Sequence, residues 1–230
     1  DASKDVKKKF EELVAQYQPE LPDNKLTFKI RKGKVYKEIA DEAKSLKAML
    51  VVAGTHGASG YEEFWIGSNA NRIVSACECP VITIRGGINI RKPLHRIVMP
   101  IDSTMETRQK ATFTAYLAKN HDAEVHVLKL YSSKVKAVRQ DVDFYAGQVS
   151  RYMEQEKVPI VVAARDAENL SDVMIAYAKE VGANLISIMT DQESTTSNLW
   201  LGPYAQQTVN HSPIPVLSIH SRELMTIQTS

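Results

Sequence analysis

From Val135 to Tyr152 the apolar positions Val135, Val138, Val142, Tyr145, Val149 and Tyr152 recur at spacings of three and four, which predicts one buried stripe of an amphipathic helix. Extended patterns flank it. His95–Pro100 is a short apolar run, Glu124–Leu130 alternates, and Ile160–Ala164, Leu185–Met189 and Val216–Ile219 are brief and rich in branched residues. Between these lie helical patterns through Ala111, Ala115 and Ala118, over Leu170–Val181 and from about Pro203. Ser103 with Glu106 has capping-box spacing ahead of the first of them. Five strands alternating with four helices predict an α/β fold, a parallel sheet with helices on its faces.

The first part of the chain repeats part of this pattern. Glu63–Arg85 aligns without gaps on Asn198–His220, so that Trp65 meets Trp200, Gly67 meets Gly202 and Pro80 meets Pro215. The offset is constant: Gly67 to Gly202 and Pro80 to Pro215 are each 135 residues apart, and Leu50 with Leu185, Ala43 with Ala178 and Val35 with Leu170 keep it. Two copies of one unit are therefore expected, at residues 1–87 and 94–222, joined by a glycine- and proline-containing linker over Gly86–Pro93. The first copy opens on a helix with Val6, Phe10, Leu13, Val14 and Tyr17 on one face, in register with the second helix of the later copy. Strand Leu26–Ile30, helix Val35–Leu46, strand Met49–Ala53, a helix from Ser68 and strand Val81–Ile84 follow, and nothing in it matches the strand, helix and strand of residues 94–131.

The candidate chemistry lies in the loop of the first copy, GTHGASGYEEFWIGS, Gly54–Ser68. Gly54 and Gly57 permit left-handed backbone and leave no Cβ to obstruct an approaching phosphate. Gly67 and Ser68 then open a helix whose first N–H groups, those of Ser68, Asn69 and Ala70, have no partner within the helix and sit at its positive end. The competing interpretation is a capped turn that binds nothing. In the second copy the same positions carry Met189, Gln192, Gly202 and Pro203, so side chains fill the space and one N–H is lost. Binding is expected in the first copy only.

The spacing Gly54, Gly57, Gly67, Ser68, with the following CPVITIR, resembles the universal stress protein family, as does VMPID at Val98–Asp102. The resemblance covers both copies. It implies two Rossmann-like open parallel sheets of strand order 3-2-1-4-5 with helices on both faces. It also implies a stress-response regulatory protein that binds ATP or a related nucleotide, with or without Mg²⁺. Ala53 would then line the pocket beside Gly54, Gly57, Gly67, Ser68, Asn69 and Ala70, with base and ribose against the first two strands. The family's habit of pairing closing strands implies an intramolecular pseudo-dimer through Pro80–Arg85 and Pro215–His220, and a homodimer as a further option. A regulatory protein partner is expected but not specified. In the 3-2-1-4-5 order the absent first strands would leave a gap at the centre of the first sheet, so an upstream segment of the natural protein is expected beyond the present sequence.

Composition narrows the function classes. The 29 basic and 27 acidic residues are interleaved for a net charge of +2, so no broad field attracts nucleic acid or an anionic membrane. No apolar run reaches the roughly 20 residues of a membrane helix, and two cysteines are too few for a disulfide framework. A cytoplasmic setting is expected.

The remaining candidates have plainer interpretations. His56 lies in the glycine loop without ligand-spaced companions, and Cys77 and Cys79 precede the last strand as a C-x-C pair unsuited to a structural zinc. Lys25, Lys29, Arg31, Lys32, Lys34 and Lys37 make a basic stretch suited to a solvated face or to steering an anion. Asp102 is expected as a strand-end or capping carboxylate, and Trp65 and Trp200 as packing residues. No catalytic set presents itself: the loop lacks the Lys-Ser/Thr pair of a Walker motif and no nucleophile elbow occurs, so at most slow ATP hydrolysis is expected.

Overall fold

Register carries the repeat into three dimensions. The computed structural model describes residues 2–54, 68–88, 92–190 and 201–221. The first copy contributes α1 (Ala2–Tyr17), α2 (Val35–Ser45), β1 (Val51–Gly54), α3 (Ser68–Ala76) and β2 (Val81–Ile84). The second contributes β3 (Arg96–Ile101), α4 (Ala111–His121), β4 (Glu124–Tyr131), α5 (Lys136–Gln155), β5 (Ile160–Asp166), α6 (Leu170–Glu180), β6 (Leu185–Met189), α7 (Pro203–His211) and β7 (Val216–Ile219). β3 and β6 are continuous apolar runs because helices cover both sheet faces: Ile97, Val98, Met99 and Ile101 are inaccessible, as are Ile186 and Ile188. The predicted stripe of α5 turns Val142, Val149 and the neighbouring Met153 inward.

The strands form one seven-stranded sheet in the order β1-β2-β7-β6-β3-β4-β5. Counted within the second copy, β5-β4-β3-β6-β7 is the order 3-2-1-4-5. β1 pairs parallel with β2 through Val51↔Val81 and Ala53↔Thr83, and β6 pairs with β7 through Ile186↔Val216 and Ile188↔Ser218. These are the same registers 135 positions apart. The two copies join where β2 and β7 pair antiparallel, Val81↔Ser218, Ile82↔Leu217 and Thr83↔Val216. Each closing strand thereby hides the other's edge, and one sheet replaces the two separate ones that the repeat suggests.

One expected strand and one expected cap differ. Leu26–Ile30 is not a strand. Its counterpart β5 is held by β4 through seven residue pairs, and the described residues of the first copy contain no equivalent of β4, so the extended segment has no ladder to join. For the same reason the apolar face of α1 stays partly exposed: Val6, Phe10, Leu13 and Tyr17 remain open to solvent, with Phe10 stacked on Phe28 at 5.4 Å between centroids. The Ser103–Glu106 capping box does not form. A 3-10 turn, Met105–Arg108, occupies that stretch with Thr104 as its N-cap, because the Asp102 carboxylate takes both the N–H and the hydroxyl of Thr104, at 2.8 and 2.5 Å.

Candidate functional site

In the first copy, β1 ends on exposed Gly54, with Ala53 buried beside it, and α3 starts at Ser68. Asn69 is exposed on the opening turn and Ala70 is buried beneath it. Gly57 and Gly67, with His56, Trp65 and Trp200, lie outside the described residues. Helical geometry leaves the N–H groups of Ser68, Asn69 and Ala70 without intrahelical partners. Asn69 also borders a cavity of about 760 Å³.

That cavity extends beyond the sequence-derived set. Its walls come from the start of α2 (Gly33, Lys34, Val35, Tyr36), from Asn69, Asn71, Arg72 and Ser75 of α3, and from Leu201 and Gln206 of the second copy. The Arg72 guanidinium lies 5.8 Å from the centre of the Tyr36 ring, a cation–π distance. Neither Lys34 nor Arg72 has a carboxylate partner among the described residues. By contrast, Lys29 and Arg31 of the same basic stretch are neutralised by Glu42 and Glu38. The inter-copy wall is fixed by the Asn71 amide, which donates to Asn210 Oδ1 at 2.9 Å.

The equivalent helix opening of the second copy is built differently. Pro203 stands in the first turn of α7. Tyr204, the counterpart of Asn69, is half-buried as a residue while its hydroxyl donates to Met174 Sδ at 3.0 Å. Burial drives that hydroxyl well above its ordinary pKa, and the nearby charge of Asp102 pushes it further. Asp102 is buried at the end of β3 as expected. Close to it is a residue that sequence patterns did not single out: Lys110 is 1% exposed and donates from Nζ to the Thr107 carbonyl at 2.7 Å and hydroxyl at 3.1 Å. Burial lowers its pKa to about 8, against the opposing pull of Asp102. A lysine between Gln109 and Ala111 carries no local mark of burial; only the fold puts it inside.

Cys77 is buried before β2 and Cys79 half-buried, both as free thiols. Burial pushes the Cys77 thiol up to about 11 and raises Cys79 as well. Among the described residues no group of three or more His, Cys, Asp or Glu side chains is placed to hold a metal ion, and no helix is long and apolar enough to cross a membrane.

Comparison with known proteins gives a consistent picture. The profile described as "Universal stress protein family" matches residues 1–85 and 93–220. A curated universal stress protein of Methanocaldococcus jannaschii is 33% identical over 85 residues, which cover 37% of this chain and 45% of that protein; the chain thus spans about half the length of the curated relative it matches. Among solved structures, a universal stress protein from Archaeoglobus fulgidus aligns with a TM-score of 0.73 at 14% identity, over 96% of this chain and 78% of that one. A protein from Pseudomonas aeruginosa described as a putative universal stress protein aligns at 0.66 and 13% identity, over the same shares. At such identities these structures bear on the fold alone.

Proposed function

Because the chain belongs to the universal stress protein family, we propose that it is a stress-response regulatory protein that binds ATP or a related nucleotide in its first copy, residues 1–87, while the second copy, residues 94–222, binds none. The observation that carries this reading is the contrast at the two equivalent helix openings. α3 begins with Ser68, exposed Asn69 and small Ala70 next to a cavity, whereas α7 begins with Pro203 and Tyr204. Phosphate oxygens suit the former, because the first amides of a helix have no intrahelical partner and stand at its positive end. On this reading Gly54, Gly57 and Gly67 give the backbone the approach it needs and Ala53 lies against the nucleotide. In the latter Pro203 has no N–H to donate, and Tyr204 stands where the first copy has Asn69. The protein acts in the cytoplasm, in keeping with its free Cys77 and Cys79.

The test is to denature the purified protein and identify released nucleotide by chromatography, then to repeat it with Gly57→Val and Ser68→Ala. Nucleotide in the wild type and its loss from both variants is the expected result. A wild type that neither carries ATP nor binds it when supplied at millimolar concentration would sink the reading.

A second reading is a non-nucleotide interaction module. It is favoured by the open side of the first copy, where Met49 and Val52 are 59% and 58% exposed while Ser187, the counterpart of Val52, is inaccessible. It predicts a protein that purifies without nucleotide and is unaffected by the loop substitutions.

A further inference from the structure

At the end of α3 opposite its opening at Ser68, a groove of about 610 Å³ runs between α3 and the end of α2. Its apolar lining is short: Ala40, Ala43, Ala48 and Ala76, with half-buried Cys79. The repeat accounts for the room. Where the first copy has Ala40 and Cys79, the second has Ile175 and Ile214, 8% and 9% exposed and part of one hydrophobic cluster. The first copy thus lacks two aliphatic side chains that the second buries at the same places, 135 residues on.

Beside this groove lies the end of β7. Val81↔Ser218 is a pair of the junction, and just beyond it the His220 imidazole donates from Nε2 to the Val74 carbonyl of α3 at 2.6 Å. That contact fixes where the chain leaves the sheet. His220 and Ser221 line a second trough, of about 460 Å³, together with Ala76 and Glu78. The same Ala76 and Glu78 line the alanine groove, so the two are continuous. Residues 222–230, RELMTIQTS, follow Ser221 and lie outside the described residues. Their sequence complements the groove. Leu224 and Ile227 are two aliphatic side chains, the number and kind that Ile175 and Ile214 provide in the second copy. Arg222 and Glu223 match a rim that bears both signs, Asp41 and Glu78 beside Lys44 and Lys47. Six extended residues past Ser221 reach roughly 20 Å, enough to cross from the first trough into the second.

We propose that the groove between α2 and α3 is the docking site of the segment that follows β7, with Leu224 and Ile227 taking the places that Ile175 and Ile214 fill in the second copy. The segment straps the end of the second copy onto the first and covers Cys79. Burial of two aliphatic side chains drives the docking. The tether at His220 makes the contact intramolecular, so a modest apolar area is enough. This docking is independent of nucleotide binding at the opening of α3.

The experiment reads the Cys79 thiol. The full chain and its Leu224→Asp/Ile227→Asp variant are labelled with iodoacetamide, and mass spectrometry follows Cys79 and Cys77 separately. A segment docked about nine-tenths of the time slows labelling about tenfold. The double variant, altered outside the body of the fold, is expected to gain about that factor at Cys79, with no change at Cys77. In a second variant, Ala40→Ile, the second copy's own residue fills the groove. With its folding checked by thermal melting, it is expected to expel the segment and to speed trypsin cleavage after Arg222, read as loss of residues 223–230 from the intact mass. Equal Cys79 rates in the wild type and the double variant overturn the proposal. So does unchanged cleavage in a folded Ala40→Ile protein, and so does protection of Cys79 that grows with protein concentration, which assigns the groove to a second chain. Should Ala40→Ile fail to fold, the double variant decides alone.

Discussion

Ile82 of β2 faces Leu217 of β7 across the antiparallel junction, and the two are the same position of the repeat, 135 residues apart. Their pairing puts a local twofold axis between them. Val81 opposite Ser218 is therefore echoed by Thr83 opposite Val216. A strand that can pair with a copy of itself needs no dedicated partner, so duplication of one unit was sufficient to build this sheet.

Leu217 is inaccessible and belongs to one of the two hydrophobic clusters. Leu217→Ala is expected to cost about 2–5 kcal/mol and to lower the urea midpoint accordingly. Ile82→Ala, at the half-buried partner, should cost less. Equal losses would contradict the unequal packing of the two sides.

Lys110 makes stability depend on pH. In the unfolded chain it titrates near 10.5, in the fold at about 8. Between these values the unfolded chain binds a proton that the folded chain has released, so raising the pH favours the fold; below about 8 the penalty of the buried charge is fully present. Cys77 acts in the opposite sense, since its thiol keeps its proton to about 11 instead of 9.0, and stability falls across that interval. Lys110→Met should remove the rise seen in the wild type between pH 8 and 9, on the order of 1 kcal/mol. Urea midpoints of the two proteins at each pH provide the check; parallel curves would show that Lys110 is not a buried ammonium.

Burial also governs thiol chemistry. With Cys77 2% exposed and its pKa pushed to about 11, the native protein at neutral pH should react with iodoacetamide far more slowly at Cys77 than at half-buried Cys79, and both should react freely once denatured. Mass spectrometry of the labelled peptides resolves the two sites. Comparable native rates would mean that the segment before β2 opens readily.

The contrast between the two helix openings predicts stoichiometry. On the proposed reading ATP should bind at one equivalent per chain, because α7 opens on Pro203, which has no N–H, and on the larger Tyr204. Titration to two equivalents would show that Tyr204 swings out.

By itself the sequence determined the repeat, its offset, most of the element types and the start of a helix at Ser68, because these depend on local periodicity and on what glycine and proline permit in the backbone. Only the tertiary structure decided that Leu26–Ile30 is not a strand, since a strand exists through its neighbour and not through its own residues. It alone brought Tyr36, Arg72 and Gln206 around one cavity and placed Lys110 inside, because proximity between segments and loss of solvent belong to the packed chain as a whole. The repeat did carry one unread signal: setting Asn69 against Tyr204 and Arg72 against Gln207 marks where the copies diverge, but that the Tyr204 hydroxyl turns onto Met174 is a choice made by packing.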